Sequence, residues 1–300
     1  MILWIVKTRK WIEIVFLIWF ARFIKLFALI TPYRPGVWAG GIIGFFAYFL
    51  LHRERKRAIE HLSSVFAEKG DQWIRRTARR SFVHLGNAVL EIALISPRRL
   101  ARVFVFHGEE AARTALMQGK GAIYVTGHIG NWELMAYAGA AHGFPLSVIA
   151  APIQPKQVND MIVNLRANMG VKTIVRGSPG AARELIRIFK DNRVLAVLID
   201  QDTDVEGVFV DFMGRPAWTP AAAVSMAIRF GAPIIFGHAL RDKHFRHIGR
   251  VEGPLELVRT GNDNNDIITN TAMLTKKIED CIRNNPEQWV WMHRRWRKQP

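Results

Sequence analysis

One cysteine, Cys281, stands in 300 residues. A lone thiol excludes an intrachain disulfide framework and a cysteine-based zinc site, and it is compatible with a reducing compartment. Acidic residues are also scarce: 25 Asp and Glu stand against 42 Lys and Arg, a net charge of +17. Such a field attracts polyanions, so anionic lipid headgroups, an acidic protein and nucleic acid are the partners to weigh. The chain has no G-x-x-x-x-G-K-S/T phosphate loop and no G-x-G-x-x-G fingerprint, which leaves nucleotide hydrolysis and hydride transfer without support. It also lacks H-E-x-x-H and the G-x-S-x-G nucleophile elbow, an internal repeat and a low-complexity linker. No cofactor and no metal are expected, since a zinc site drawn from His128, Glu133 and Asp200 would be carboxylate-rich and lack a second well-placed His. Without a recognition module, nucleic acid is not an expected partner.

What is present is apolar. Half the residues are hydrophobic and 22% are charged, which excludes a disordered chain and permits a large core. Trp11 to Ile30 is as long as a membrane span of roughly 20 residues, yet it carries Glu13, Arg22 and Lys25. Arg22 and Lys25 share a helix face, which predicts an amphipathic helix lying in a membrane surface. Val37 to Leu51 is uncharged, short and glycine-rich, and reads as a re-entrant arm or a buried core helix. Lys7, Arg9 and Lys10 precede these segments, and Arg53, Arg55, Lys56 and Arg57 follow. Basic flanks on both sides put both ends on the cytoplasmic side of a membrane and favour an in-plane or hairpin attachment over a tilted single span. Phe27 to Ile30 offers no signal-peptidase pattern. Residues 52–100 read as basic helices, and Arg75, Arg76, Arg79 and Arg80 form either a solvated face or a contact for anionic headgroups. The expected division is a membrane-anchoring segment at 1–51, a basic helical region at 52–100 and an α/β domain at 101–300, with the boundary near Ser96-Pro97.

From residue 121 strands alternate with helices, the signal of an α/β fold. Strands are predicted at 122–126, 146–150, 171–175, 194–199, 234–239 and 247–251. Helices are predicted from 131, over 156–168, from 178 or 179 to 190, over 220–230 and over 267–283. His128 and Asp200 stand just beyond the carboxyl ends of two of these strands, where open α/β sheets bind ligands. His128 and Glu133 are five residues apart, roughly 140° around an unbroken helix. If His128 sits in a turn and Glu133 in the first helical turn, with Asn131 as N-cap, the carboxylate reaches back to the imidazole and makes it a general base. Backbone N–H groups around Gly130 and Asn131, at the helix start, are candidates to stabilise a developing negative charge. With no nucleophile or cofactor evident, that pair suits deprotonation of a hydroxyl that attacks an activated acyl group.

The block GHIGNWE resembles the H-x4-E/D motif of glycerolipid-type acyltransferases and, in this form, is especially similar to the bacterial lipid A biosynthesis (lauroyl/myristoyl) acyltransferases. The hydrophobic N-terminus, the basic run Arg53 to Glu60, Glu91, VLAVLIDQ at 194–201, VFVDFMGRPA at 208–217, Gly231-Ala232-Pro233 and PEQWVWMH at 286–293 agree in order. The resemblance implies a glycerolipid acyltransferase-like mixed sheet flanked by helices, with a membrane-associated helical segment before it. It implies His128 as general base oriented by Glu133, with Arg166 and Asp200 as substrate-binding positions, to which the helix start adds Asn131 and Gly130. Where the family commonly carries Asn-Pro ahead of the arginine, this chain has Gln154-Pro155-Lys156. The implied reaction moves a fatty acyl chain from acyl carrier protein or coenzyme A to a hydroxyl of a membrane lipid, foremost a lipid A precursor. A lysophospholipid or another glycolipid is the alternative acceptor, and a non-enzymatic lipid-binding protein is the rival of another class.

Overall fold

The computed structural model describes Trp19 and residues 30–300. The expected in-plane helix at Trp11 to Ile30 therefore lies, apart from those two residues, outside the described part. Helix α1 (Tyr33–Leu50) meets α2 (His52–Val65) at a 91° bend. Among the described residues no single helix is long and apolar enough to cross a membrane, though the bent pair passes that test together by length and composition.

The long helix α3 (Gly70–Leu94) runs against α1 along a seam of glycines. A Cβ placed on Gly44 would stand 2.2 Å from the Phe82 carbonyl oxygen, and one on Gly86 would stand 2.2 Å from that of Gly40. The spacing 36, 40, 44 puts these glycines on one helix face. The opposite face of α1 is bare: Trp38 is 63% and Leu50 74% exposed, with Phe46 and Phe49 also open. Arg75, Arg76, Arg79 and Arg80 of α3 are exposed, and the Arg79 guanidinium lies over the Phe45 ring of α1, 5.8 Å from its centroid. An apolar face beside a basic one is the result.

Ser96 caps α4 (Pro97–Val103) by accepting from the Arg99 N–H, with Pro97 in the first turn, where its missing donor costs nothing. There follow β1 (Phe104–His107), α5 (Glu109–Met117), β2 (Ala122–Thr126), α6 (Trp132–Ala141), β3 (Leu146–Ala150), α7 (Lys156–Asn168), β4 (Lys172–Val175), α8 (Ala181–Lys190) and β5 (Val194–Leu198). Then come β6 (Gly207–Phe212), β7 (Arg215–Pro220), α9 (Ala222–Phe230), β8 (Ile234–Arg241), β9 (His247–Glu252) and α10 (Asp263–Asn284). The main sheet has the order β1-β9-β8-β2-β5-β3-β4. It is parallel except between β8 and β9, so β1 and β9 run against the rest. Both faces are covered. Ile123 and Val125 of β2 join a cluster with Leu274, Ile278 and Ile282 of α10, and Ala122 and Tyr124 join Leu134 and Tyr137 of α6. The mixed sheet flanked by helices is the architecture expected.

The structure adds elements the spacing does not predict: β1, α5, and the hairpin of β6 and β7. The hairpin turns on Met213 and Gly214, both at positive φ, the geometry that matches strand twist. Methionine is a poor residue for it, and the Glu279 carboxylate compensates by accepting from the Met213 N–H at 2.8 Å. Helix α10 starts four residues before its predicted start at 267, because Asn262 caps it, accepting from the Asn265 N–H at 3.2 Å.

Candidate active site

Strands β2 and β5 are adjacent, and Thr126 lies beside Leu198 in their register. Two residues beyond each, the chain carries His128 and Asp200. Gly127 makes the approach possible, since a Cβ there would meet Asp200 Oδ2 at 3.0 Å and Ile278 at 2.8 Å. The Asp200 carboxylate accepts from the His128 backbone N–H at 2.7 Å through Oδ2 and lies 2.7 Å from His128 Nδ1 through Oδ1. The Trp289 indole N–H donates to Oδ2 at 2.7 Å. Burial, with 1% of Asp200 exposed, pushes this carboxyl up, but the His128 charge and these donors outweigh it and hold it down at about 2.

A carboxylate on Nδ1 puts the imidazole proton there and leaves the Nε2 lone pair free. Nε2 has no partner among the described residues, and the side chain is 21% exposed. The Trp132 indole packs edge-on against the ring, centroids 4.8 Å apart. The arrangement is a fixed imidazole with one open nitrogen, which is able to accept a proton.

The structure does not bring Glu133 to the imidazole that it was expected to hold. Glu133 instead faces Arg166 at the end of α7: Arg166 Nε donates to Oε2 at 2.9 Å and Nη2 to Oε1. Both side chains are 12% exposed. A five-residue spacing made Glu133 the near candidate, but the neighbouring strand brings Asp200 closer. Asp200, expected as a substrate contact, is buried behind His128 and Trp289.

The backbone N–H groups of Gly130 and Asn131, expected to face a developing negative charge, are engaged within the protein. The Gly130 N–H donates to the Gln288 carbonyl at 2.8 Å and the Asn131 N–H to that of Ala239 at 3.1 Å. Neither is left for a developing anion. Asn131 is the N-cap of α6, its Oδ1 accepting from the Leu134 N–H at 3.2 Å, and it is buried. Of the four first-turn N–H groups that an α-helix leaves without an intrahelical acceptor, those of Trp132 and Glu133 remain.

Residues that the spacing did not reveal complete the site. Trp289 anchors a C-terminal strap that α2 clamps from outside: Arg57 donates to the Met292 carbonyl at 2.8 Å, and His61 Nδ1 lies 2.9 Å from that of Trp291. Arg295, fully buried, donates to the Trp218 carbonyl at 2.5 Å and to Thr219 Oγ1 at 2.6 Å, tying the strap to β7. His293 on the strap is electrostatically close to Asp200 and His128; burial pushes it down to about 4, so it is neutral. Behind α6, Glu91 of α3 meets Arg241 of β8. The signal for Glu91 was in the sequence: a carboxylate in register with the buried positions His84, Asn87 and Ala88 of one helix face. Among the described residues no group of three His, Cys, Asp or Glu side chains is placed to hold a metal ion.

Comparison with known proteins places the chain. The family described as bacterial lipid A biosynthesis acyltransferase matches residues 6–298. The phosphatidylinositol mannoside acyltransferase of Mycobacterium tuberculosis is 25% identical over 213 residues, 69% of this chain, and the chain covers 65% of that relative's length. The Mycolicibacterium smegmatis protein of the same description is 25% identical over 61% of the chain and 59% of its own length. The lipid A biosynthesis lauroyltransferase of Escherichia coli is 24% identical over 90% of the chain and 87% of its own. By the near-complete match of that family, the chain belongs to the bacterial lipid A biosynthesis acyltransferases.

Proposed function

We propose that the protein is an O-acyltransferase that moves a fatty acyl chain from a phosphopantetheine thioester to a sugar hydroxyl of a membrane glycolipid. The observation that carries this reading is the imidazole of His128, tied by Nδ1 to a buried carboxylate and open at Nε2. Nε2 takes the acceptor hydroxyl proton as the oxygen attacks the thioester carbonyl, and Asp200 stabilises the imidazolium. The N–H groups of Trp132 and Glu133 hold the negative charge on the tetrahedral intermediate. Collapse forms the ester, breaks the C–S bond and returns the proton from Nε2 to the leaving thiolate. Arg166, with Nε and Nη2 engaged by Glu133, offers Nη1 to a phosphate of the donor or the headgroup.

The acceptor class rests on the relatives: one is named for lipid A, the others for phosphatidylinositol mannoside. Both are glycolipids. A lipid A precursor is the first candidate because that family match spans the chain, and a mannosylated phosphoinositide is the second. Acyl carrier protein and coenzyme A both present the donor thioester, and the basic surface suits the acidic carrier. The bare face of α1, beside the arginines of α3, rests on the anionic cytoplasmic leaflet of the inner membrane.

Mass spectrometry of membrane lipids from cells with and without the protein tests the reading. One lipid gaining the mass of one acyl group is expected, and His128→Ala abolishes the gain. A general base contributes about 100-fold or more, so near-normal transfer by His128→Ala overturns the assignment.

A further inference from the structure

The Gly130–Asn131 peptide lies between His128 and Glu133, and a buried polar network that touches no solvent-facing part of the site holds it. Glu91 is fully buried in α3. It accepts from Arg241 Nε at 2.6 Å and Nη2 at 2.7 Å and from Asn131 Nδ2 at 2.8 Å, and the buried His247 Nε2 lies 3.1 Å from its Oε1. The same guanidinium reaches His84 Nδ1 through Nη1 at 2.7 Å. Arginine only donates, so Nδ1 of His84 is the acceptor and the ring proton sits on Nε2. That nitrogen lies 3.0 Å from the Gly130 carbonyl oxygen and donates to it. On the other side, the Gln288 side chain brackets the Arg241 backbone, accepting from its N–H at 2.9 Å and donating to its carbonyl at 3.0 Å. The Gln288 carbonyl takes the Gly130 N–H.

Both polar groups of this peptide are thereby engaged, the Gly130 carbonyl by His84 and the Asn131 N–H by Ala239, and so are the preceding N–H of Gly130 by Gln288 and the Asn131 side-chain amide by Glu91. A buried ion pair is weak evidence for stability, since well-packed apolar residues serve as well or better. Apolar side chains would fill these positions of α3 without fixing the peptide.

We propose that Glu91, Arg241 and His84 form a positioning device, with His84 as the Nε2–H tautomer that grips the Gly130 carbonyl and so sets where His128 and the Glu133–Arg166 pair stand relative to each other. None of the three touches substrate. The proposal rests on the reading of His128 as the base. Because Glu91 and His84 sit on the helix whose other face receives α1, the device also fixes the site relative to the glycine seam.

The test compares His84→Leu, which removes donor and acceptor, with His84→Gln, whose amide supplies both. Turnover is followed as coenzyme A released from lauroyl-coenzyme A, with phosphatidylglycerol vesicles carrying a lipid A precursor or a phosphatidylinositol mannoside. Thermal midpoints are measured in parallel, and each variant is assayed well below its own. A small misplacement of the base costs roughly 100-fold, so His84→Leu is expected to lose that much kcat with KM for the thioester unchanged, and His84→Gln to recover most of it. Wild-type kcat in folded His84→Leu, or a His84→Gln as slow as His84→Leu, overturns the proposal. If His84→Leu does not fold, Arg241→Lys replaces it, keeping charge without the fork that bridges Glu91 and His84; wild-type kcat there is equally fatal. His128→Ala is run alongside. Turnover by His128→Ala overturns the base and this device together, whereas an inactive His128→Ala beside a fully active His84→Leu removes the device alone.

Discussion

A carboxylate as deeply buried as Asp200 stays ionised only where cations and donors surround it, and His128 with Trp289 supplies them. Holding Nδ1 fixes the tautomer, so losing the charge should be felt in the chemical step. Asp200→Asn is expected to lower kcat by roughly 1,000- to 10,000-fold, as an amide in this position favours the wrong tautomer. Glu133→Gln should be milder in kcat and act mainly on KM, because it frees Arg166 rather than His128. Steady-state kinetics on the two variants decide it, and a larger kcat loss at Glu133 reverses the assignment. His128 and Asp200 were legible singly as polar groups at strand ends. Their partnership was not, since it depends on β2 and β5 being neighbours across 72 positions. The short spacing to Glu133 was visible and pointed to a carboxylate that the structure pairs with Arg166 instead.

The glycine seam of α1 and α3 leaves no room for side chains. Gly44→Val places branched carbon against the Phe82 carbonyl, and overpacking of this kind costs about 1–3 kcal/mol. A lower thermal midpoint by circular dichroism is expected; an unchanged midpoint would mean the helices do not meet there. On the opposite face, Phe46→Glu with Leu50→Glu should leave that midpoint unchanged while weakening sedimentation with phosphatidylglycerol vesicles by about tenfold per apolar side chain removed. Unaltered sedimentation would take the membrane away from this face. Among the elements, the all-buried runs of β2 and β5 were readable because they are short, β-branched and bounded by turn residues. The β6–β7 hairpin was not, because its turn is Met213-Gly214 and the side chain that makes it tolerable, Glu279, lies 66 positions away.

For the molecule as a whole, buried titratable groups make stability fall with acid. His84 is held down near 3 by burial and Arg241, and His293 near 4 by burial. Their ordinary value is 6.5, so the unfolded chain binds protons first and stability declines as pH falls below 6.5 toward 3. Glu91, which burial pushes up but Arg241 and His247 hold at about 2, and Asp200, also near 2, extend the decline below their ordinary values of 4.5 and 3.8. Urea unfolding at pH 7, 5.5 and 4.5 should show the first part, and His84→Gln should flatten it; an equal slope in the variant would remove His84 as a cause. The α/β class was readable at this scale from alternation alone, whereas the joining of α3 to β8 and of α2 to the strap was not, as no local pattern encodes a contact 150 or 235 positions long. That strap has a further consequence for how the molecule comes into being. Arg57 meets Met292 across 235 positions and Trp289 meets Asp200 across 89, so sealing the carboxylate depends on contacts between distant parts of the chain, and non-local contacts of this kind slow folding. A chain whose strap has not yet docked lacks the Trp289 donor on Asp200, so the surroundings of the His128–Asp200 pair are completed only when the strap arrives.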